Sequence, residues 1–191
     1  MEALRRVVLI VALLNLAYFG IEFTVALTIG SVSLFADSVD FLEDAAINLL
    51  IFAAILWTAR RRSTVGSVLA FVILIPAIAT IWTAIAKILD PATPDPVALS
   101  ITAVGALAIN LTCAVMLARH RHHAGSLTKA AWLSARNDAF ANLAIIAVGI
   151  FTIWFASGWL DIIVGISIGL LNADAARAVW KAARQEAAAQ P

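Results

Sequence analysis

The chain is predicted to be an all-α membrane protein, a six-transmembrane-helix bundle with both termini cytoplasmic. Three observations carry that prediction. Hydrophobic residues make up 63% of the 191 positions and charged residues 13%, against roughly 45 to 50% apolar content in a soluble domain. Six apolar segments each reach the roughly 20 residues that a helix needs to cross a bilayer. The basic residues fall almost entirely on one side of those crossings.

The first segment covers residues 7–29 and follows Arg5 and Arg6. Its length exceeds the roughly 7 to 15 residues of a signal-peptide core and no small-residue cleavage site follows, so it is a retained span. Gly30 and Ser31 turn the chain into the second segment, 33–59, and residues 60–63 lead to the third, 65–89, which Pro76 is expected to bend. The acidic, proline-broken stretch 90–96 precedes the fourth segment, 97–118. Residues 119–126 connect to the fifth, 127–156, and Ser157 with Gly158 to the sixth, 159–179. Residues 1–180 thus form one membrane domain and 181–191 a short cytoplasmic tail. Such short connections make consecutive helices antiparallel neighbours. Gly165 and Gly169, in line with Asp161 and Asn172, mark a close helix contact whose partner the sequence leaves open.

With the N-terminus inside, Arg5, Arg6, Arg60, Arg61, Arg62, Arg119, Arg121, Lys129, Arg136, Arg177, Lys181 and Arg184 all lie on or toward the cytoplasm, and only Lys87 lies outside. That asymmetry follows the positive-inside rule and requires an even number of crossings. A multi-pass protein of the plasma (inner) membrane follows. Trp57, Trp132, Trp154, Trp159 and Trp180 fall near span ends, as interfacial anchors do, and Trp82 is the exception. No basic patch with interleaved aromatics points to nucleic acid. Cys113 is the sole cysteine, which excludes a disulfide framework and reads as a small core residue.

The second segment holds the chemistry. It carries Asp37, Asp40, Glu43 and Asp44 within an apolar run, and each carboxylate at a bilayer centre costs about 2.5 to 3.5 kcal/mol, against about 0.3 to 0.6 returned by each large apolar residue. Such acids need partners inside the protein. At about 100° per residue, Asp37, Asp40, Asp44 and Asn48 share a wedge of roughly 80°, while Glu43 points elsewhere. Asn15 and Glu22 share a face of the first segment, and Asp138 and Asn142 share one of the fifth. Asp40 lies about seven residues past the outer end of its span and Asp138 about eleven past the inner end of its own, so both fall in the middle third of a core about 30 Å thick. Converging from two helices, these side chains offer oxygen ligands to a metal ion.

The run Gly30-Ser31-Val32-Ser33-Leu34-Phe35-Ala36-Asp37-Ser38-Val39-Asp40, followed by Asp44, resembles the second-helix signature of the cation diffusion facilitator family of divalent-metal/proton antiporters. The resemblance implies metal ligands at Asp40 and Asp44. Arg136-Asn137-Asp138 through Asn142 is similar to the family's fifth-helix pair and implies Asp138 and Asn142 as the others. It also implies a homodimer. His120, His122 and His123 sit where many members carry a His-rich loop, and either collect metal or are simply solvated. Two departures stand out: the family's usual cytoplasmic metal-sensing domain does not follow residue 179, and neither ligand pair contains His.

An all-oxygen ligand set leans toward Mn²⁺ or Fe²⁺, with Co²⁺ and Zn²⁺ open. No resident cofactor is expected; the cation is cargo. Three carboxylates around one cavity repel each other, and either protons or a divalent cation relieves that repulsion. The expected function is therefore export of a divalent cation in exchange for protons. Asp37 would orient the site or line its access route, Asn48 would support a ligand, and Glu22 is a proton relay or a buried helix partner. The alternative is a non-transporting membrane scaffold or sensor on the same fold. An enzyme is not expected, since no nucleophile motif or His-rich zinc motif occurs in the spans.

Overall fold

The computed structural model describes residues 2–54, 78–119 and 125–171. Among the described residues there are six helices and no strand: α1 (Glu2–Ile29), α2 (Val32–Ala54), α3 (Ile78–Leu89), α4 (Pro96–Ala118), α5 (Gly125–Trp154) and α6 (Trp159–Leu171). Three stretches, Glu2–Ile29, Pro96–Ala118 and Asn137–Trp154, are long and apolar enough to cross a membrane. α2 is as long as α4, but any 18-residue window of it contains all four acids. The expected bend at Pro76, His120, His122 and His123, Asn172, Trp57, Trp180 and the tail 181–191 lie outside the described residues.

The helix ends explain the turns. α1 stops at Gly30, whose φ of 64° places it in the left-handed region that favours glycine. The next N–H, of Ser31, closes back on the Ala26 carbonyl at 3.0 Å, the 6→1 bond of a Schellman motif. α2 then begins at once, its Ser31 Oγ accepting from the Leu34 N–H at 3.1 Å as an N-cap. α4 starts one residue before the expected span because Pro96 occupies N1, where a missing N–H costs nothing, and Asp95 Oδ1 accepts from Ala98 N–H at 2.7 Å. α1 begins five residues before its apolar run, taking Arg5 and Arg6 into the helix. The Arg5 guanidinium sits 4.6 Å from the centre of the Phe52 ring on α2, a cation–π contact between the start of α1 and the end of α2.

α1 packs chiefly on α2 and α4 chiefly on α5, with α1 against α4 and α2 against α5 closing a four-helix arrangement. Small residues set how closely the backbones approach. A Cβ on Gly105 would run into the Tyr18 hydroxyl, which donates to the Thr102 carbonyl at 2.6 Å and ties α1 to α4. A Cβ on Gly149 would strike Ser100 Oγ between α5 and α4.

Two apolar clusters bracket the interior. One joins Ala26, Leu34, Phe35, Leu99, Ile145, Val148 and Ile168 toward the end that holds the α1–α2 turn. The other joins Val8, Val11, Ile51, Cys113, Leu117 and Ala135 at the opposite end, so Cys113 is a core residue as expected. Along α1 the stretch between them contains Asn15 and Glu22, both fully buried. Outward, large apolar side chains such as Leu13, Leu27, Ile101, Val115, Phe140 and Leu171 are exposed, the surface that suits contact with lipid tails. Trp154 and Trp159 are exposed at the α5–α6 connection, and Trp82 is exposed within α3.

A buried polar layer as candidate cation site

The first half of α2 is enclosed on every side: residues 31–39 are all buried. An α-helix normally buries one stripe, so α2 is the central helix of the bundle, and its acids are held inside by the neighbours around it. Asp37 is completely buried, Asp44 and Asn48 nearly so, and Asp40 is half-buried. Glu43, which the wedge directs away from the other acids, is buried too, at 4% exposure, and no donor among the described residues reaches either of its oxygens.

The two helices expected to supply ligands do meet. The Asp40 carboxylate lies within electrostatic range of Asp138 on α5 and of Asp37, Glu43 and Asp44 on its own helix. Asp138, like Asp40, is half-buried. Asp40 and Asp138 therefore belong to one electrostatic cluster and do not lie on opposite flanks of the bundle.

Asn142 is placed differently from its helix partner. It is fully buried, and its Nδ2 donates a very short hydrogen bond to Asp37 Oδ2. Its Oδ1 accepts from Asn110 Nδ2 of α4 at 3.0 Å. The amide is thus engaged at both ends, in a chain that runs from α4 through α5 to α2. The chain continues to α1: the Glu22 carboxyl faces that of Asp37 at hydrogen-bonding range, and no N–H or hydroxyl among the described residues reaches the Glu22 oxygens or Asp37 Oδ1. Glu22 is thus fully buried on α1 and lies beside an acid of α2.

Asn48 turns to its own helix: its Nδ2 donates to the backbone carbonyl of Asp44, one turn back, at 2.8 Å, and its Oδ1 has no partner among the described residues. Asn15, on α1, receives only a long thiol contact from Cys113, 3.9 Å at its Oδ1.

Among the described residues no three His, Cys, Asp or Glu side chains are gathered closely enough to hold a metal ion. Hydrogen bonds through the polar layer join Asp37 to Asn142 and Asn142 to Asn110, while Asp40 and Asp138 act on each other as like charges. The Asn110–Asn142 bond joins α4 to α5, the kind of interhelical bond that holds membrane helices together.

The sequence reading gave no role to Asp161. It is completely buried on α6 and receives the start of α2. Its partners lie 128 to 130 residues away in sequence, so no local pattern signals them.

No curated protein matches the chain. The family model of the cation efflux transmembrane domain matches residues 8–186, which takes in α1 from Val8 onward, the other five helices described above and the whole polar layer. Apolar helices of membrane-crossing length around a buried acidic layer agree with that match. The chain therefore belongs to the cation efflux family and is a multi-pass membrane transporter of cations.

Proposed function

We propose that the protein exports a divalent cation from the cytoplasm in exchange for protons, with Asp40, Asp44, Asp138 and Asn142 as the cation ligands. The observation that carries this reading is that α2 and α5 pack together and bring the Asp40 and Asp138 carboxylates within electrostatic range inside the bundle. Like charges held together in a buried layer store repulsion, and a doubly charged ion is the species that relieves most of it. With the ion absent, protons take its place. Asn142 Oδ1 accepts one hydrogen bond, from Asn110, and its second lone pair is the one that would face a cation drawn into a shell with Asp44. Alternating access around a site between helices is the general route for such an exchange.

The donor set is all oxygen, which favours Mn²⁺ or Fe²⁺ over Zn²⁺ and Co²⁺ among the candidates. The ions are cargo, and no resident cofactor or catalytic residue belongs to the scheme. A homodimer in the plasma (inner) membrane, both termini cytoplasmic, with a membrane domain over 1–180 and a tail over 181–191, completes the proposal.

The test is accumulation of Mn²⁺, Fe²⁺, Co²⁺ and Zn²⁺ in cells and in liposomes, with a pH dye inside the liposomes. Wild-type protein is expected to move at least one ion with protons moving oppositely, and Asp44→Ala to move none. Ion flux without a proton signal removes the exchange and leaves transport. A scaffold or sensor is the second reading, favoured by the engaged Asn142 amide and the lack of a ready three-ligand group among the described residues. It predicts that Asp40→Ala alters assembly and no ion flux.

A further inference from the structure

The start of α2 is held by a side chain from the far end of the sequence. Asp161 lies in the first turn of α6 and is completely buried. Its Oδ1 accepts from Ser31 Oγ at 2.7 Å, from Ser33 Oγ at 2.6 Å and from the Ser33 N–H at 3.1 Å, and its Oδ2 accepts from the Val32 N–H at 2.8 Å. Ser31 Oγ takes the Leu34 N–H at 3.1 Å. The N–H groups that a helix leaves open in its first turn are therefore all satisfied, and an anion stands where the helix dipole favours one. One turn further along α6, Gly165 lies against the same backbone: a Cβ there would come within 2.6 Å of the Val32 carbonyl carbon and 2.8 Å of Ser33 N. No side chain fits between α6 and the start of α2. From the third helix, Lys87 Nζ donates to the Gly30 carbonyl at 2.5 Å.

This clasp is more specific than packing needs. A carboxylate that accepts from two backbone N–H groups and two hydroxyls fixes both the height and the rotation of the helix it caps. α2 carries Asp37, Asp40 and Asp44 within eleven residues of Ser33. Slipping a helix by one residue turns its side chains by about 100° and moves them about 1.5 Å along the axis, which would turn the acids out of the polar layer.

We propose that Asp161 is a positioning residue for cation transport: it sets the register of α2, and α2 and α6 move as one body at the end that holds the clasp. The transport half of the proposal rests on the reading given above, and the register half does not. The experiment measures both. Spin labels at positions 49 and 163, both on outward-facing sites, in a Cys113→Ala background, report the distance between α2 and α6 in lipid. Liposome uptake of Mn²⁺ and Zn²⁺ reports the half-saturating concentration per folded transporter. Asp161→Asn is expected to broaden the label distance and to raise the half-saturating concentration about tenfold at unchanged maximal rate, the size of effect that loss of an outer partner has on a metal site. Ser31→Ala with Ser33→Ala leaves the two backbone bonds in place and is expected to raise it about threefold; this variant carries the test where Asp161→Asn fails to fold. An unchanged label distance overturns the proposal, and so does a broadened one with unchanged half-saturation while wild type transports. Wild-type liposomes that move neither ion count against the transport reading instead, and the label distance then decides the register claim alone.

Discussion

Two ends of one helix treat buried polar groups in opposite ways. At the start of α2, both oxygens of the Asp161 carboxylate and all the first-turn donors are paired. One to four turns later, Asp37 Oδ1, both Glu43 oxygens and Asn48 Oδ1, together with both oxygens of Glu22 facing them from α1, have no hydrogen-bond partner among the described residues. An unpaired buried polar atom costs about 1 to 3 kcal/mol, and more for a charged group. Under the proposed function the two ends have different work: the paired one builds the helix, and the atoms left without a partner among the described residues are where the transported ion or protons would act.

Breaking the open region should have the larger effect. Asp40→Ala and Asp44→Ala are expected to reduce ion uptake by more than the roughly 10 to 100-fold that loss of an outer partner costs, with protein still present in the membrane, measured by isotope or dye uptake in liposomes against a quantified band. Asn142→Ala comes next. It removes a donor from Asp37 and an acceptor from Asn110, and a rise of about tenfold in the half-saturating ion concentration is expected. If uptake is unchanged, Asn142 is only helix glue.

Acidification sharpens the same contrast without a mutation. A protonated carboxylate does not bind a cation, so metal affinity is lost as protons are added. The half-saturating ion concentration should rise as the pH on the loading side falls. Helix content by circular dichroism at each pH shows whether the fold is intact where uptake declines.

The smallest effect belongs to a pair that only joins helices. Asn110→Ala should cost about 0.6 to 2 kcal/mol of stability, the worth of an interhelical hydrogen bond in a membrane, read from reversible unfolding in micelles, and little in uptake. A loss of uptake as large as that of Asn142→Ala would move Asn110 into the site.

The architecture was legible because its signals are local. Apolar runs of about 20 residues define spans whatever they pack against, and α4 and α5 begin within two residues of the expected boundaries. The larger displacement, at the start of α1, arises because a helix does not end where hydropathy does: Arg5 continues it and finds the Phe52 ring. The acidic face of α2 was legible from spacing, and so was the pairing of α2 with α5 through the motif resemblance. What the sequence could not yield is which groups pair. Periodicity assigns a side chain to a face, and α2 is buried on every face over 31–39 and again over 43–46, so Glu43 is inside despite its direction. Asn48 turns to its own backbone, a local competition that spacing cannot rank. Asn142 shares the Asp138 face of α5, yet its hydrogen bonds reach α4 and α2. Gly165 and Gly169 gave a close contact without a partner; the structure divides them, Gly165 against Val32 of α2 and Gly169 toward Thr80 of α3.

The central claim is that Asp40 and Asp138, from two helices, act on one bound cation. A double-mutant cycle on ion uptake tests it most directly, using Asp40→Asn, Asp138→Asn and the pair in liposomes at fixed protein density. Residues serving one ion are strongly non-additive, so the double variant is expected to lose no more than the worse single one. Losses that simply multiply would mean that the two carboxylates act at separate places, and would contradict the account.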